Sequence, residues 1–251
     1  MRAGAPSRDP RALVKGLGNL DLTPAEAAYV RSHARRYEVL LDVVIARSAD
    51  VPDRDRVLRI LDVGPAAQTE LIRGAFPAAT VNTLGYPNRL SAPRDGERHF
   101  DFDLNLAAVT GRRPEVPAHD IVVAAEVIEH LAVSPRAVFE CFAALAQPGG
   151  WLVVQTPNAL ALHKRARALA GRNPLGGAAD VDASSHSAAH FREYTTAELE
   201  ELAVAAGFAP GRAIARNYFR HTGALRAAWD RATERLPAGT RQGITAYYRR
   251  R

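Results

Sequence analysis

Apolar positions in this chain follow two periods that alternate along its length. Short apolar runs of strand length lie at residues 57–63 (VLRILDV), 79–84, 99–102, 119–125 (HDIVVAA) and 151–155, with two later candidates at 213–219 and 244–248. Between them, apolar residues three and four apart predict helices. One carries Leu71, Ile72, Ala75 and Phe76 and stops at Pro77. Another is capped by Ser134 and Pro135, carries Val138, Phe139, Phe142 and Leu145, and ends at Pro148-Gly149-Gly150. A third opens on the capping box Thr195-x-x-Glu198, buries Leu199, Leu202, Ala203 and Ala206, and ends at Gly207. Ahead of the first strand, Thr23 as N-cap, Pro24 and Glu26 open a helical stripe running through Tyr29, Val30, Tyr37, Leu40, Leu41, Val44 and Ile45.

Strands that alternate with helices predict an α/β fold with a doubly wound, mostly parallel sheet. Residues 1–22, rich in Gly, Pro and Arg, are expected to be loosely ordered. Residues 159–170 predict a basic helix. Residues 171–187, rich in Gly, Ala and Ser and without a period, predict a loop or lid. A late helix is expected over 223–236.

Composition narrows the function classes. The chain has 251 residues and is 47% hydrophobic, enough for a sizeable core. No apolar run approaches the length of a membrane-spanning helix, and the first twenty residues lack the apolar stretch of a signal peptide. Cys141 is the only cysteine, which excludes an internal disulfide and agrees with a reducing, cytoplasmic location. Of the basic residues only Lys15 and Lys164 are lysines. The net charge of +6 is therefore arginine charge, scattered except at Arg249, Arg250 and Arg251, and it marks no nucleic-acid track. The expected partner is a small molecule, with neither nucleic acid nor membrane.

Four landmarks carry candidate chemistry. The first is Asp62-Val63-Gly64-Pro65-Ala66-Ala67-Gln68: a buried strand ends in an acid and a glycine and then enters a helix, which makes a ligand crevice. The second is Glu126-Val127-Ile128-Glu129-His130-Leu131, after the fourth strand. The third runs from Pro148-Gly149-Gly150 to Thr156-Pro157-Asn158. The fourth is His190-Phe191-Arg192-Glu193-Tyr194-Thr195.

In this order and spacing, from about residue 57 to about residue 219, the landmarks resemble the class I S-adenosylmethionine-dependent methyltransferases, particularly the small-molecule groups that include quinone-biosynthesis enzymes. The resemblance implies a Rossmann-like, seven-stranded sheet with one antiparallel strand and S-adenosylmethionine bound across the ends of its first strands. It implies a single domain over 23–251, with the cofactor-binding core at about 55–158 and lid and acceptor regions at about 159–195 and 220–240. It places Asp62 and Gly64 at the methionine end of the cofactor, Asp103 at the adenine, and Glu126 at the methyl-transfer position.

Two departures stand out. The alternating glycines of the usual loop read Gly64, Ala66 and Gln68, so Gln68 must point away or make a new polar contact. The second strand ends without the acid that usually bridges the ribose hydroxyls, and Tyr86 or Asn88 is expected to take its place.

His130, His190 and Tyr194 are the candidate catalytic residues, since histidine titrates near neutrality and can take a hydroxyl proton. His186 is a further histidine of the same loop. The expected activity is O-methylation of a sugar, phenol or other secondary metabolite, with no metal. Two alternatives stand beside it. Glu126, Glu129 and His130, with a histidine from the later loop, match the metal set of small-RNA 2′-O-methyltransferases. The altered glycine loop and missing acid suit a non-catalytic binding protein. Cys141 and Trp151 read as core, and Trp229 as packing or acceptor-facing.

Overall fold

The structure, a computed structural model, describes residues 9–16, 24–51, 56–109, 114–175, 190–218, 228 and 232–251. Thr23, His186, Phe219, Trp229, most of the expected late helix and residues 176–187 of the expected lid lie outside these. In chain order the described elements are α1 Pro10–Gly16, α2 Pro24–Ser32, α3 Ala34–Ser48, β1 Arg59–Val63, α4 Ala67–Ala75, β2 Thr80–Gly85, β3 His99–Asp101, β4 His119–Ala125, α5 Pro135–Leu145, β5 Ala146–Pro157, α6 Leu162–Leu169, α7 Thr196–Ala205, β6 Arg212–Arg216 and β7 Gly243–Arg249.

The strands form one seven-stranded sheet in the order β3-β2-β1-β4-β5-β7-β6. The first five pair in parallel, and β7 runs antiparallel to both β5 and β6. The order turns back between β1 and β4, which opens a crevice at their carboxyl ends. This is the Rossmann-like, doubly wound sheet with one reversed strand that the sequence landmarks imply.

Side chains alternate across the sheet, and β4 shows the consequence. Ile121, Val123 and Ala125 pack under α3 and α4, with Tyr37, Leu40, Leu41, Val44 and Ile72. Val122 and Ala124 face the opposite layer, where α5 and α7 bring Phe139, Phe142 and Leu199 and the segment before α7 brings Tyr194. β4 is buried at all seven positions, so it reads as one apolar run without visible alternation. Cys141 is a buried core residue, as expected.

Several elements differ from their expected bounds. The single stripe expected after Thr23 is two helices with a break at His33. There the Ser32 hydroxyl donates to the Tyr29 carbonyl at 2.8 Å, and His33 Nδ1 lies 2.7 Å from the same oxygen. Within the segment expected to be loose, Pro10–Gly16 is helical because Val14 is buried against the α3–α4 layer. β5 begins earlier than expected, at Ala146, and β6 stops at Arg216. The capping box at Thr195 forms as expected, with Glu198 N donating to Thr195 Oγ1 at 3.1 Å and Thr195 N to Glu198 Oε2 at 2.8 Å.

Candidate active site

The crevice above β1 and β4 holds a cavity of about 750 Å³. One wall is the loop from β1 into α4. Gly64 has φ +72, and a Cβ there would lie 2.5 Å from Val127 Cγ2, so any other residue would be strained and would force the Val127 side chain to shift. Gln68, the residue that departs from the glycine pattern, is buried and folds back so that Nε2 donates to the Gly64 carbonyl at 2.9 Å. Its side chain thus makes the new polar contact that was one of the two expectations, and it braces the loop.

Asp62 is fully buried beneath this loop and accepts from Thr69 Oγ1 at 2.6 Å, while Thr69 Oγ1 accepts from Ala66 N at 3.2 Å. Asp62 shapes the loop and does not line the cavity. Burial pushes its carboxyl up to about 7, with the Thr69 hydrogen bond opposing the shift. Between the unfolded value near 4 and about 7, the native state keeps a proton that the unfolded chain releases, so stability falls as pH rises through that window. Asp62→Asn should flatten this part of the profile, stabilising the protein at pH 8 relative to pH 4.5 by up to a few kcal/mol, at about 1.4 kcal/mol per pKa unit. Urea unfolding at the two pH values measures it, and identical slopes in the two proteins would sink the assignment.

The second wall is the turn after β4. Glu126 is the only non-glycine with positive φ (56°) among the described residues. Its N–H donates to the Gln155 carbonyl at 2.7 Å, and that bond holds it in a strained conformation. Its Oε2 lies 3.3 Å from Arg36 Nη1, and Arg36 is itself buried, stacked 4.7 Å from the Tyr37 ring centre. Glu126 Oε1 and Arg36 Nε are buried with no hydrogen-bond partner. Burial raises the Glu126 carboxyl pKa despite Arg36.

Glu129 is fully buried. Oε2 accepts from Thr156 Oγ1 at 2.9 Å, and Oε1 has no hydrogen-bond partner and lies 3.9 Å from His130 Nε2. Burial, then repulsion from Glu126, pushes its carboxyl well above the usual range. The Glu129 carbonyl accepts from Phe191 N at 2.8 Å, which fastens the segment carrying His190 to this turn. The His130 and His190 rings consequently meet edge to face, with centres 4.9 Å apart. His190 Nδ1 is 3.0 Å from Glu193 Oε1, and the other Glu193 oxygen pairs with Lys164 Nζ from α6.

The expected site residues therefore divide. Gly64, Gln68, Glu126, His130 and His190 share the cavity. Tyr194 does not: it is buried in the core, its hydroxyl 3.5 Å from the Ile128 carbonyl, and burial pushes its phenol up to about 12. Asn88 Nδ2 donates to the Pro65 carbonyl at 2.6 Å, tying the β2 turn to the glycine loop. Asp103 Oδ1 accepts from Asn105 N at 2.9 Å and caps a short turn. Tyr86 is exposed beside Asp103, whose charge helps burial to raise its phenol pKa. Tyr86 and Asn88 follow β2 and Asp103 follows β3, and none of the three lines the cavity.

Sequence reasoning missed Arg36, Tyr37, Lys164 and Glu193. Arg36 had a readable signal, since it falls on the buried stripe of α3, four residues before Leu40. The Lys164–Glu193 pair joins residues 29 apart in sequence and carries no local signal.

The sheet order, its reversed strand and a cavity at the β1–β4 switch point define the class I S-adenosylmethionine-dependent methyltransferase fold. A family model described as "Methyltransferase domain" matches residues 32–210, and the chain belongs to that family. Among solved structures it is similar to a SAM-dependent methyltransferase from Archaeoglobus fulgidus (11% identity, 89% of this chain and 99% of that one, TM-score 0.51). It is also similar to an S-adenosylmethionine-dependent methyltransferase from Mesorhizobium loti (16%, 82% and 96%, TM-score 0.51). The CurJ carbon methyltransferase matches as well (14%, 96% and 61%, TM-score 0.54). At these identities the likeness is one of fold. No curated protein matches the sequence. The protein is thus a member of the methyltransferase-domain family with the fold of the S-adenosylmethionine-dependent enzymes. Among the described residues no helix is long and apolar enough to cross a membrane.

Proposed function

We propose that the protein transfers the methyl group of S-adenosylmethionine to a hydroxyl of a small acceptor, with His130 as general base. The observation that carries this reading is that one cavity is lined both by Gly64, Gln68 and the Arg36–Glu126 pair and by the His130 and His190 rings, whose centres are 4.9 Å apart. The first group suits the cofactor. Gly64 leaves backbone bare for close approach, and Arg36 and Glu126, paired through Nη1 and Oε2, keep Nε and Oε1 without hydrogen-bond partners to meet the carboxylate and ammonium of an amino-acid moiety. When bound, S-adenosylmethionine supplies a methyl group already made electrophilic by positive sulfur. The chain's own task is orientation, water exclusion and proton removal. His130 stands at the cavity beside His190, which Glu193 holds in place, so a hydroxyl proton has an acceptor there. Tyr86 and Asn88 after β2 and Asp103 after β3 are assigned to the adenosine side on this reading.

Titration calorimetry of the full chain with S-adenosylhomocysteine and S-adenosylmethionine tests the cofactor half. Micromolar binding of either supports it, and no heat from both would overturn it.

A second reading has one specific observation in its favour. Ligand atoms of Glu129, His130 and His190 lie within 4.8 Å of one another, near enough to hold a divalent cation, and Glu129 Oε1 is buried without a hydrogen-bond partner. Glu193 behind His190 and Thr156 behind Glu129 would then orient the ligands. Dialysis against a strong chelator separates the readings. Activity retained after dialysis favours histidine as base, and activity lost and restored by manganese or magnesium favours the cation.

A further inference from the structure

The charges around the cavity do not cancel evenly. Among the described residues its lining carries two carboxylates, Glu126 and Glu193, and three permanent cations, Arg36, Lys164 and Arg167. Glu126 pairs with Arg36, and Glu193 with Lys164 and His190. Arg167 is left over. Its Nε donates to the Asn173 carbonyl at 3.0 Å, which fixes the plane of the guanidinium, and its terminal amino groups make no hydrogen bond among the described residues.

Helix geometry adds a second basic group. His163 and Arg167 stand four residues apart on α6, one turn or roughly 6 Å along the axis, and both line the cavity. The face cannot swing away, because Lys164, between them in sequence, is buried and locked onto Glu193. That same Glu193 holds His190. One chain of contacts therefore sets the basic face of α6 at a fixed place relative to the candidate base. α6 itself, LHKRARAL, contains no acid that would neutralise it.

We propose that the methyl acceptor carries an acidic group, a carboxylate or a phosphate ester, which docks on Arg167 and His163 while its hydroxyl faces His130. This deepens the reading given under Proposed function and rests on it for the identity of the reacting end. Arg167 presents a planar fork matched to two oxygens of an anion. Pro174 and Leu175, next to it on the cavity wall, offer apolar contact for the body of such a molecule and limit competing water.

The test is calorimetry of the full chain with 3,4-dihydroxybenzoate, with catechol (the same ring without the acid) and with inorganic phosphate, each with and without S-adenosylhomocysteine. The acid is expected to bind at least about tenfold tighter than catechol, the scale of one charged hydrogen bond. Arg167→Ala should remove that margin. Arg165→Ala should keep it, since Arg165 is exposed on the same helix, off the cavity, and bonded to the Leu160 carbonyl. Phosphate binding that is lost in Arg167→Ala supports a phosphate ester, and binding of dihydroxybenzoate alone supports a carboxylate. Equal affinity for acid and catechol, a margin that survives Arg167→Ala, or no binding of either acid probe overturns the proposal. Absence of heat from S-adenosylhomocysteine itself overturns the cofactor reading instead, and the acid probes still report on Arg167.

Discussion

Arg36→Ala is expected to destabilise the protein by about 3–5 kcal/mol and to remove measurable S-adenosylhomocysteine binding. The first effect follows from what is left behind. Arg36 Nη1 lies 3.3 Å from Glu126 Oε2 and 3.2 Å from the Tyr29 hydroxyl, and the guanidinium stacks on Tyr37 in the buried layer between α3 and the sheet. Taking away one partner of a buried pair strands the other charge, and that costs about 3–5 kcal/mol. The second effect follows from the Nε that has no partner, the donor assigned here to the cofactor's carboxylate.

Two further variants keep stability and binding apart. Arg36→Met combined with Glu126→Gln removes both charges, so it should recover most of the lost stability and none of the binding. Arg36→Lys should fold well yet bind at least about tenfold more weakly, because a point charge cannot reproduce the planar fork. Urea unfolding and calorimetry read the two effects. An Arg36→Ala protein that unfolds at the wild-type midpoint, or an Arg36→Met/Glu126→Gln protein that binds S-adenosylhomocysteine normally, would defeat the assignment.

Legibility differed between fold and site for a physical reason. A strand such as His119–Ala125 announces itself because burial on both faces demands a continuous apolar run, and its bounds were readable to the residue. The glycine loop was readable because Gly64 must adopt positive φ. Helix α1 was not. Its burial rests on Val14 meeting a layer assembled from residues far along the chain, and seven residues carry too little periodic signal of their own. The same holds within the site. Residues on the β4 turn, Glu126 and His130, are placed by one local motif. Their partners Arg36 and Lys164 arrive from separate helices through tertiary packing. Tyr194, a polar aromatic within a motif, is placed differently: its ring is core and its hydroxyl lies 3.5 Å from the Ile128 carbonyl. Asp62, an acid at a strand end, shapes the glycine loop from beneath through Thr69.

The remaining large effect concerns turnover. His130→Ala is expected to lower the rate about a hundredfold, the usual scale for a general base, while S-adenosylhomocysteine affinity stays within about twofold, because an interaction made only in the transition state leaves ground-state binding unchanged. The side chain is 21% exposed and lines the cavity, so its loss does not open the core. The adjoining His190 ring, 4.9 Å away, sets up a sharper comparison. If the two rings serve one proton transfer, His130→Ala/His190→Ala should be little slower than His130→Ala alone, since residues acting as a unit are not additive. Glu193→Gln should act through His190. It keeps the shape but weakens the hold on the ring and on Lys164, and so should lower the rate while leaving S-adenosylhomocysteine affinity within about twofold. Stopped-time assays with labelled S-adenosylmethionine across pH 6–9, paired with calorimetry on each variant, supply both readouts. A fully active His130→Ala protein would make the ring structural and move the base to His190. A His130→Ala protein that loses rate together with its affinity for added manganese would hand the cluster with Glu129 to the cation reading.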